Sequence, residues 1–213
     1  MKYGLQDSGT FFAWMEKNAR DTPDKLAIRS LDQAKDITHG ELFAMANRIG
    51  RFYEDRGIGA NDRVALLSNN SIEHLIIYLS SLAYGCTICT IHVEMNESYF
   101  EQILKAVDGK IVIAQPSLSV LESLSERMEG DWFSLGEWDR DSGTGIFKEF
   151  NKYEDSTGNW PVAGRTDDIS IFYTSGKAGN ESAYVSQLLA RLPVIGTIIR
   201  PVLKLFRVRP AGR

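Results

Sequence analysis

The side chains with the clearest chemical potential are Thr174, Ser175, Gly176, Lys177 and Gly179, which follow an apolar stretch from Asp168 to Tyr173. A strand that runs out into small hydroxyls and glycines suits phosphate binding, because bare backbone N–H groups and short side chains can close around anionic oxygens. Lys177 adds a positive charge within the same turn. The pattern is not a Walker A loop, which would need glycine where Ile171 stands and Ser or Thr where Ala178 stands. Taken alone, a Thr-Ser-Gly turn after a strand is more often only a turn.

Other reactive groups carry less. Cys86 and Cys89 make one C-x-x-C pair, without the second pair that a structural zinc site needs. They fall on a predicted strand, where positions three apart face opposite sides of a sheet, whereas a redox pair sits at a helix N-terminus. Both are read as buried and inert, in keeping with a reduced, cytoplasmic setting. His39, His74 and His92 stand at no metal-type spacing, so no metal ligand is assigned. Trp132, Trp138 and Trp160 lack basic neighbours at regular intervals, which argues against a nucleic-acid partner.

The elements that must position these residues alternate along the chain. A helix is predicted from Thr10 to Asn18, then two short strands at Leu26–Arg29 and Asp36–Thr38 around a polar turn. Thr38 and Glu41 form a capping-box pattern that opens a helix running to about Arg56. Gly57 stops that helix; strands at 63–67, 87–93, 110–114 and 168–173 then alternate with helices at 72–84, which Gly85 ends, 98–107 and 118–128. This order predicts an α/β fold with a largely parallel sheet flanked by helices. Residues 130–166 read as a long excursion with short strands near Trp132-Phe133 and Ile146-Phe147.

Charge divides the chain. Beyond Glu181 there is no acid, while Arg191, Arg200, Lys204, Arg207, Arg209 and Arg213 are basic; residues 1–181 hold the other 18 basic residues against all 28 acidic ones, a net of −10. Residues 183–213 are therefore read as a separate basic, apolar tail behind a unit spanning 1–182. Such a tail suits peripheral contact with an anionic membrane surface, although Pro193, Gly196 and Pro201 interrupt any helix. Its composition is equally that of a recombined or out-of-frame end. No apolar run is long enough for a spanning helix, and Met1 to Asp21 has no signal-peptide pattern.

Several short segments share one order. They are Pro23-Asp24-Lys25, Thr38-His39-Gly40-Glu41-Leu42, Asn47-Arg48, Gly57-Ile58-Gly59-Ala60-Asn61-Asp62-Arg63-Val64-Ala65, Asn70-Ser71-Ile72-Glu73, and Asp167-Asp168-Ile169 leading to Tyr173-Thr174-Ser175-Gly176. In this order and separation they resemble the adenylate-forming (AMP-binding) ligase family of the acyl-CoA synthetase type, over roughly residues 8–180. The resemblance implies the N-terminal domain of that fold, incomplete within this chain. It implies an ATP- and Mg²⁺-dependent ligase that activates a carboxylic acid as an acyl-adenylate and passes it to coenzyme A, as in fatty acid metabolism. It also implies that Thr174, Ser175, Gly176, Lys177 and Gly179 hold the nucleotide.

The departures shape the expectation. Family loops continue Thr-Thr-Gly-x-Pro-Lys after the first Ser-Gly, whereas this chain has Lys177, Ala178, Gly179, Asn180, Glu181 and Ser182, of which only Gly179 matches. The family's later Tyr-Gly-x-Thr-Glu segment, ribose-binding aspartate, hinge and catalytic lysine have no counterpart in residues 1–213, so no catalytic residue is assigned. The expectation is a fragment inactive alone, because positioning and electrostatics are the substance of this chemistry. The alternative is a non-catalytic protein that keeps the sheet and meets partners or a membrane through its tail. The strands at 63–67 and 169–173 are expected to expose apolar edges and faces, favouring self-association.

Overall fold

A computed structural model of the chain describes residues 10–93, 97–118, 120–140, 142–161 and 169–173. Thirteen elements are present among them: α1 (Phe11–Asp21), β1 (Leu26–Ser30), β2 (Lys35–Thr38), α2 (His39–Asp55), β3 (Arg63–Leu67), α3 (Ile72–Tyr84), β4 (Thr87–Ile91), α4 (Glu97–Val107), β5 (Ile111–Ala114), α5 (Val120–Ser125), β6 (Asp131–Ser134), α6 (Ile146–Phe150) and β7 (Ser170–Tyr173). The tail at 183–213 lies outside the described residues.

Local chemistry accounts for the element ends. Thr38 caps α2: its Oγ1 accepts from the Glu41 N–H at 3.3 Å, and its own N–H donates to Glu41 Oε2 at 2.8 Å. This is the reciprocal pairing that the sequence pattern predicts. Ser71 caps α3 one way only, its Oγ accepting from the His74 N–H. Gly85 ends α3 at φ 100°, a left-handed conformation in which a Cβ would clash.

β1 and β2 form an antiparallel pair, while β3 to β7 build one parallel sheet in the order β6-β5-β3-β4-β7. The α/β expectation therefore holds. From β3 the chain moves to β4 on one side; from β4 it moves to β5 on the other. Right-handed crossovers then require α3 and α4 to lie on opposite faces, and the core divides accordingly. Val64, Leu66, Ile88, Ile111 and Ile113 pack with α1, α2, α3 and α6. Ala65, Leu67, Cys89, Ile91, Val112 and Ala114 pack with Phe100, Leu104 and Val107 of α4 and Leu124 of α5.

Two expectations are corrected. The strand at 63–67 exposes no edge: β3 is the middle strand, paired with β4 and β5, and Val64 through Leu67 are all 0% exposed. Strand order depends on which distant strands pair, and a linear pattern does not carry that. Ile146-Phe147 is not a strand but the start of α6. A strand would send Ile146 and Phe147 to opposite faces, whereas the helix buries Ile146, Phe147 and Phe150 together. There Phe150 meets Phe52 of α2 edge-on at 5.0 Å. Trp132-Phe133 does lie in a strand, β6. The expectation for the strand at 169–173 stands in part: β7 pairs only with β4 among the described residues, and Phe172 is 58% exposed.

The excursion between β6 and β7 is held against α2. Asn47 donates to Asp155 O at 3.0 Å and accepts from Thr157 Oγ1 at 3.1 Å, and Arg51 donates to Ser156 and Thr157. Trp160 packs on Phe12 and Tyr84 and directly over Gly50, where a Cβ would lie 2.5 Å from the indole ring. Helix propensity alone would favour alanine at Gly50 by about 1 kcal/mol. Gly50→Ala is nevertheless expected to destabilise by about 1–3 kcal/mol through overpacking, and less so in a Trp160→Phe background. Urea unfolding of the four variants checks this; an unchanged or higher midpoint for Gly50→Ala would mean that Trp160 does not seat there.

Candidate functional site

Because β3, β4, β5 and β7 are parallel, their carboxyl ends open on one edge of the sheet. The connections leaving β3 and β4 go to opposite faces there, the topology at which open parallel sheets bind ligands. Polar groups gather at this edge. Ser68, just past β3 and 4% exposed, shares a 2.8 Å hydrogen bond between its Oγ and His74 Nδ1. Gln115, just past β5, accepts from the Asn69 N–H at 2.8 Å through Oε1 and donates to Ser117 Oγ at 2.7 Å through Nε2. Its own N–H donates to Leu67 O at 2.9 Å. Burial pushes the His74 imidazole down to about 4, so it is neutral at pH 7.

β7 reaches this edge at Tyr173, in register with Ile91 of β4. The residues assigned to phosphate binding from sequence, Thr174, Ser175, Gly176, Lys177 and Gly179, lie outside the described residues. Among the described residues, no three His, Cys, Asp or Glu side chains converge as a metal site.

The other motif segments hold the frame. Glu73 is 3% exposed, yet three groups donate to its carboxylate: Gln33 Nε2 at 2.7 Å, Lys35 Nζ at 2.9 Å and the Trp138 N–H at 3.2 Å; Lys35 also reaches Trp138 O at 3.2 Å. Gln33 Oε1 in turn accepts from the Ile72 N–H at 2.8 Å. One carboxylate thus ties the β1–β2 hairpin, the start of α3 and the chain after β6. Burial alone would raise its pKa; the hydrogen bonds from Gln33, Lys35 and backbone N–H groups outweigh that and hold it below the ordinary carboxylate value.

The same holds elsewhere. Pro23 O accepts from the Gly40 N–H and Lys25 O from the His39 N–H, both at 2.9 Å, which docks the Pro-Asp-Lys turn on the start of α2. Asp62 accepts from the Gly59 N–H and from Lys110 Nζ, each at 2.7 Å, and Arg63 donates to Val107 O at 2.9 Å. Cys86 and Cys89 are free thiols in opposite core clusters, and burial pushes each up to about 12. The reading of both as buried is met.

Sequence reasoning missed two constellations. It gave Glu73 only as part of a family segment and assigned His74 no role for lack of metal spacing. The available signal was a Ser and a His six residues apart, astride the junction from a buried strand into the first turn of a helix.

A family model described as "AMP-binding enzyme" matches residues 15–180. The chain belongs to this family. Among curated relatives of the AMP-binding chain, surfactin synthase subunit 2 of Bacillus subtilis (strain 168) is 30% identical over 143 residues, covering 67% of this chain and 4% of that protein. The long-chain-fatty-acid–CoA ligase FadD13 of Mycobacterium tuberculosis is 25% identical over 152 residues, covering 70% of this chain and 29% of that protein. The chain thus spans less than a third of the length of either relative. ATP-bound MatB from Rhodopseudomonas palustris has a similar fold, with a TM-score of 0.68 at 23% identity, covering 93% of this chain and 43% of that one. The inhibitor-bound N-terminal domain of FACL13 from Mycobacterium tuberculosis matches with a TM-score of 0.67 at 22% identity, covering 80% and 42%.

Two measurements probe the polar frame of this AMP-binding fold. Glu73→Ala leaves Lys35 without its partner and is expected to cost about 3 kcal/mol, read as a lower urea midpoint; no loss would mean that the carboxylate does not hold the hairpin. For His74, the folded pKa of about 4 lies below the model-peptide value of 6.5, so the unfolded chain takes up the proton first. Stability from this group is complete above pH 6.5 and is lost as pH falls through the window down to about 4. The carboxylates with lowered values, Glu73 among them, add their loss only below the ordinary carboxylate range. His39, also lowered, by burial first and then by Lys25, shares the upper part of the window. In His74→Gln the fall in unfolding free energy at the upper end of that window is expected to flatten; an unchanged pH slope would place His74 outside the buried set.

Proposed function

We propose that this chain supplies the nucleotide-facing first part of an ATP-dependent, adenylate-forming ligase acting on a carboxylic acid, with coenzyme A as the thiol partner and Mg²⁺ carried by the nucleotide phosphates. The observation that carries the reading is the parallel sheet whose edge strand β7 delivers the chain to the carboxyl edge immediately before Thr174-Ser175-Gly176. The family match running from α1 to residue 180 supports it. ATP enters by way of MatB, a solved relative in fold that holds ATP.

In this reading the hydroxyls of Thr174 and Ser175 and the unobstructed N–H groups at Gly176 and Gly179 receive phosphate oxygens, and Lys177 provides the charge. The matched relatives include peptide synthases and a fatty-acid–CoA ligase. Activation of a carboxylate is the chemistry the family resemblance implies for both, and the proposal stays at that level. The loop departs from the family pattern at Lys177, Ala178, Asn180, Glu181 and Ser182, which removes hydroxyls and a lysine from their usual places. Residues 1–213 alone are therefore proposed to bind nucleotide weakly and not to turn over, with the working unit within 1–182 and a cytoplasmic location.

Isothermal titration with ATP and Mg²⁺ tests this: dissociation on the order of 1 mM, about −4 kcal/mol, is expected, weakened at least several-fold in Ser175→Ala/Lys177→Ala. Absence of binding, or binding indifferent to those substitutions, removes the reading. Carboxylate-dependent exchange of pyrophosphate into ATP is expected to stay at background for the isolated chain.

A second reading has its own support, the six cations without an acid in residues 183–213. It is a protein that meets an anionic membrane through that segment, and the side of β7 that has no partner strand among the described residues, with Phe172 58% exposed, would favour self-association. No helix among the described residues is long and apolar enough to cross a membrane. Co-sedimentation with phosphatidylserine vesicles should then fall at high salt and vanish when residues 183–213 are removed; retention by the shortened chain would rule it out.

A further inference from the structure

We propose that Tyr78 is a positioning residue that sets the register of β7 and thereby the place at which the phosphate loop begins, an inference that rests on the nucleotide reading above. β7 is four residues long and pairs with β4 alone among the described residues, from Ile88↔Ser170 to Ile91↔Tyr173. In so short a strand, a slip of one residue would send every side chain to the other face. It would also advance or withdraw the first loop residue by one strand step, roughly 3.3 Å.

Tyr78, on α3, meets β7 at two alternate positions. Its hydroxyl donates to Ser170 Oγ at 3.3 Å, and its ring lies 6.0 Å from that of Phe172. Ser170 and Phe172 are two apart and so share a face; the intervening Ile171 turns to the opposite core cluster with Cys89. Only one register satisfies both contacts, because a shift by one residue would bring Ile171 opposite the Tyr78 ring and hydroxyl. Tyr78 is itself fixed from behind. Its ring stacks on His74 at 6.3 Å and 19°, and His74 is hydrogen-bonded to buried Ser68 at the end of β3. The array Ser68–His74–Tyr78 therefore links the carboxyl end of the middle strand to the strand that carries the loop. A neutral His74 suits this role, since a charged ring would draw water to the stack.

The test uses the full 213-residue chain as wild type, Tyr78→Phe, Ser170→Ala and the double variant. Amide hydrogen exchange at residues 169–173 is expected to quicken about five- to tenfold in each single variant, as for the loss of one hydrogen bond. It should quicken no further in the double variant, while the β3–β5 ladder stays unchanged. ATP affinity is expected to weaken by a similar factor in each, with Tyr78→Phe and Ser170→Ala non-additive. Unchanged exchange at 169–173 in Ser170→Ala, the milder variant, overturns the proposal. So does faster exchange with undiminished ATP affinity, which would leave Tyr78 with only a structural role. If the wild-type chain binds no ATP, the nucleotide reading fails and the link to the loop fails with it, while the exchange data still decide whether Tyr78 holds β7.

Discussion

Everything in this fold depends on the burial of β3 from both sides. Four consecutive residues, Val64 to Leu67, are wholly removed from water, with a strand hydrogen-bonded along each edge and a helical layer on each face. Such a strand has no polar face to offer, so helices must cover both sides, and right-handed crossovers can do that only by leaving β3 and its neighbours in opposite directions. A switch in connection direction at the carboxyl edge is the geometric result. Ser68, His74 and Gln115 line that edge because the apolar run ends there and backbone groups emerging from the sheet need partners.

A second constraint is the Glu73 carboxylate. Taking a charge out of water is costly unless it is paired and fully hydrogen-bonded, and Glu73 is met by Gln33, Lys35 and the Trp138 N–H. Since these come from the hairpin and from the chain after β6, the charge specifies where three distant pieces must sit. Asn47, Arg51 and Gly50 act likewise for the excursion toward Trp160. The segments that carry the family resemblance are thus, within the described residues, chiefly joints of the scaffold. The chemistry is expected in the one motif that begins where β7 ends.

Much of the fold was legible along the chain, for identifiable reasons. The capping box at Thr38 and Glu41 is local, needing only three residues to act. The Gly85 stop is likewise local. The apolar runs read as strands at 63–67, 87–93 and 110–114, which the structure holds as β3, β4 (Thr87–Ile91) and β5 (Ile111–Ala114), stood out because strands buried on both faces are largely apolar. Ile146-Phe147 misled because two adjacent apolar residues fit a strand or one turn of helix equally well; Phe52 and the rest of α2 decide between them. Thr174 to Gly179 lie outside the described residues; of the candidate site, the family was visible in residue types. The Ser68–His74–Tyr78 array was not, because its last contact spans 92 residues from Tyr78 to Ser170.

The order of most elements, the capping box at Thr38 and the opposed faces of the two cysteines were determined by the sequence alone, since each depends on periodicity or on neighbours a few residues away. Tertiary structure alone decided that β3 is central, that Glu73 is a buried junction and that Tyr78 reaches the loop-bearing strand. These arise from pairing between segments whose separation along the chain bears no relation to their distance in space.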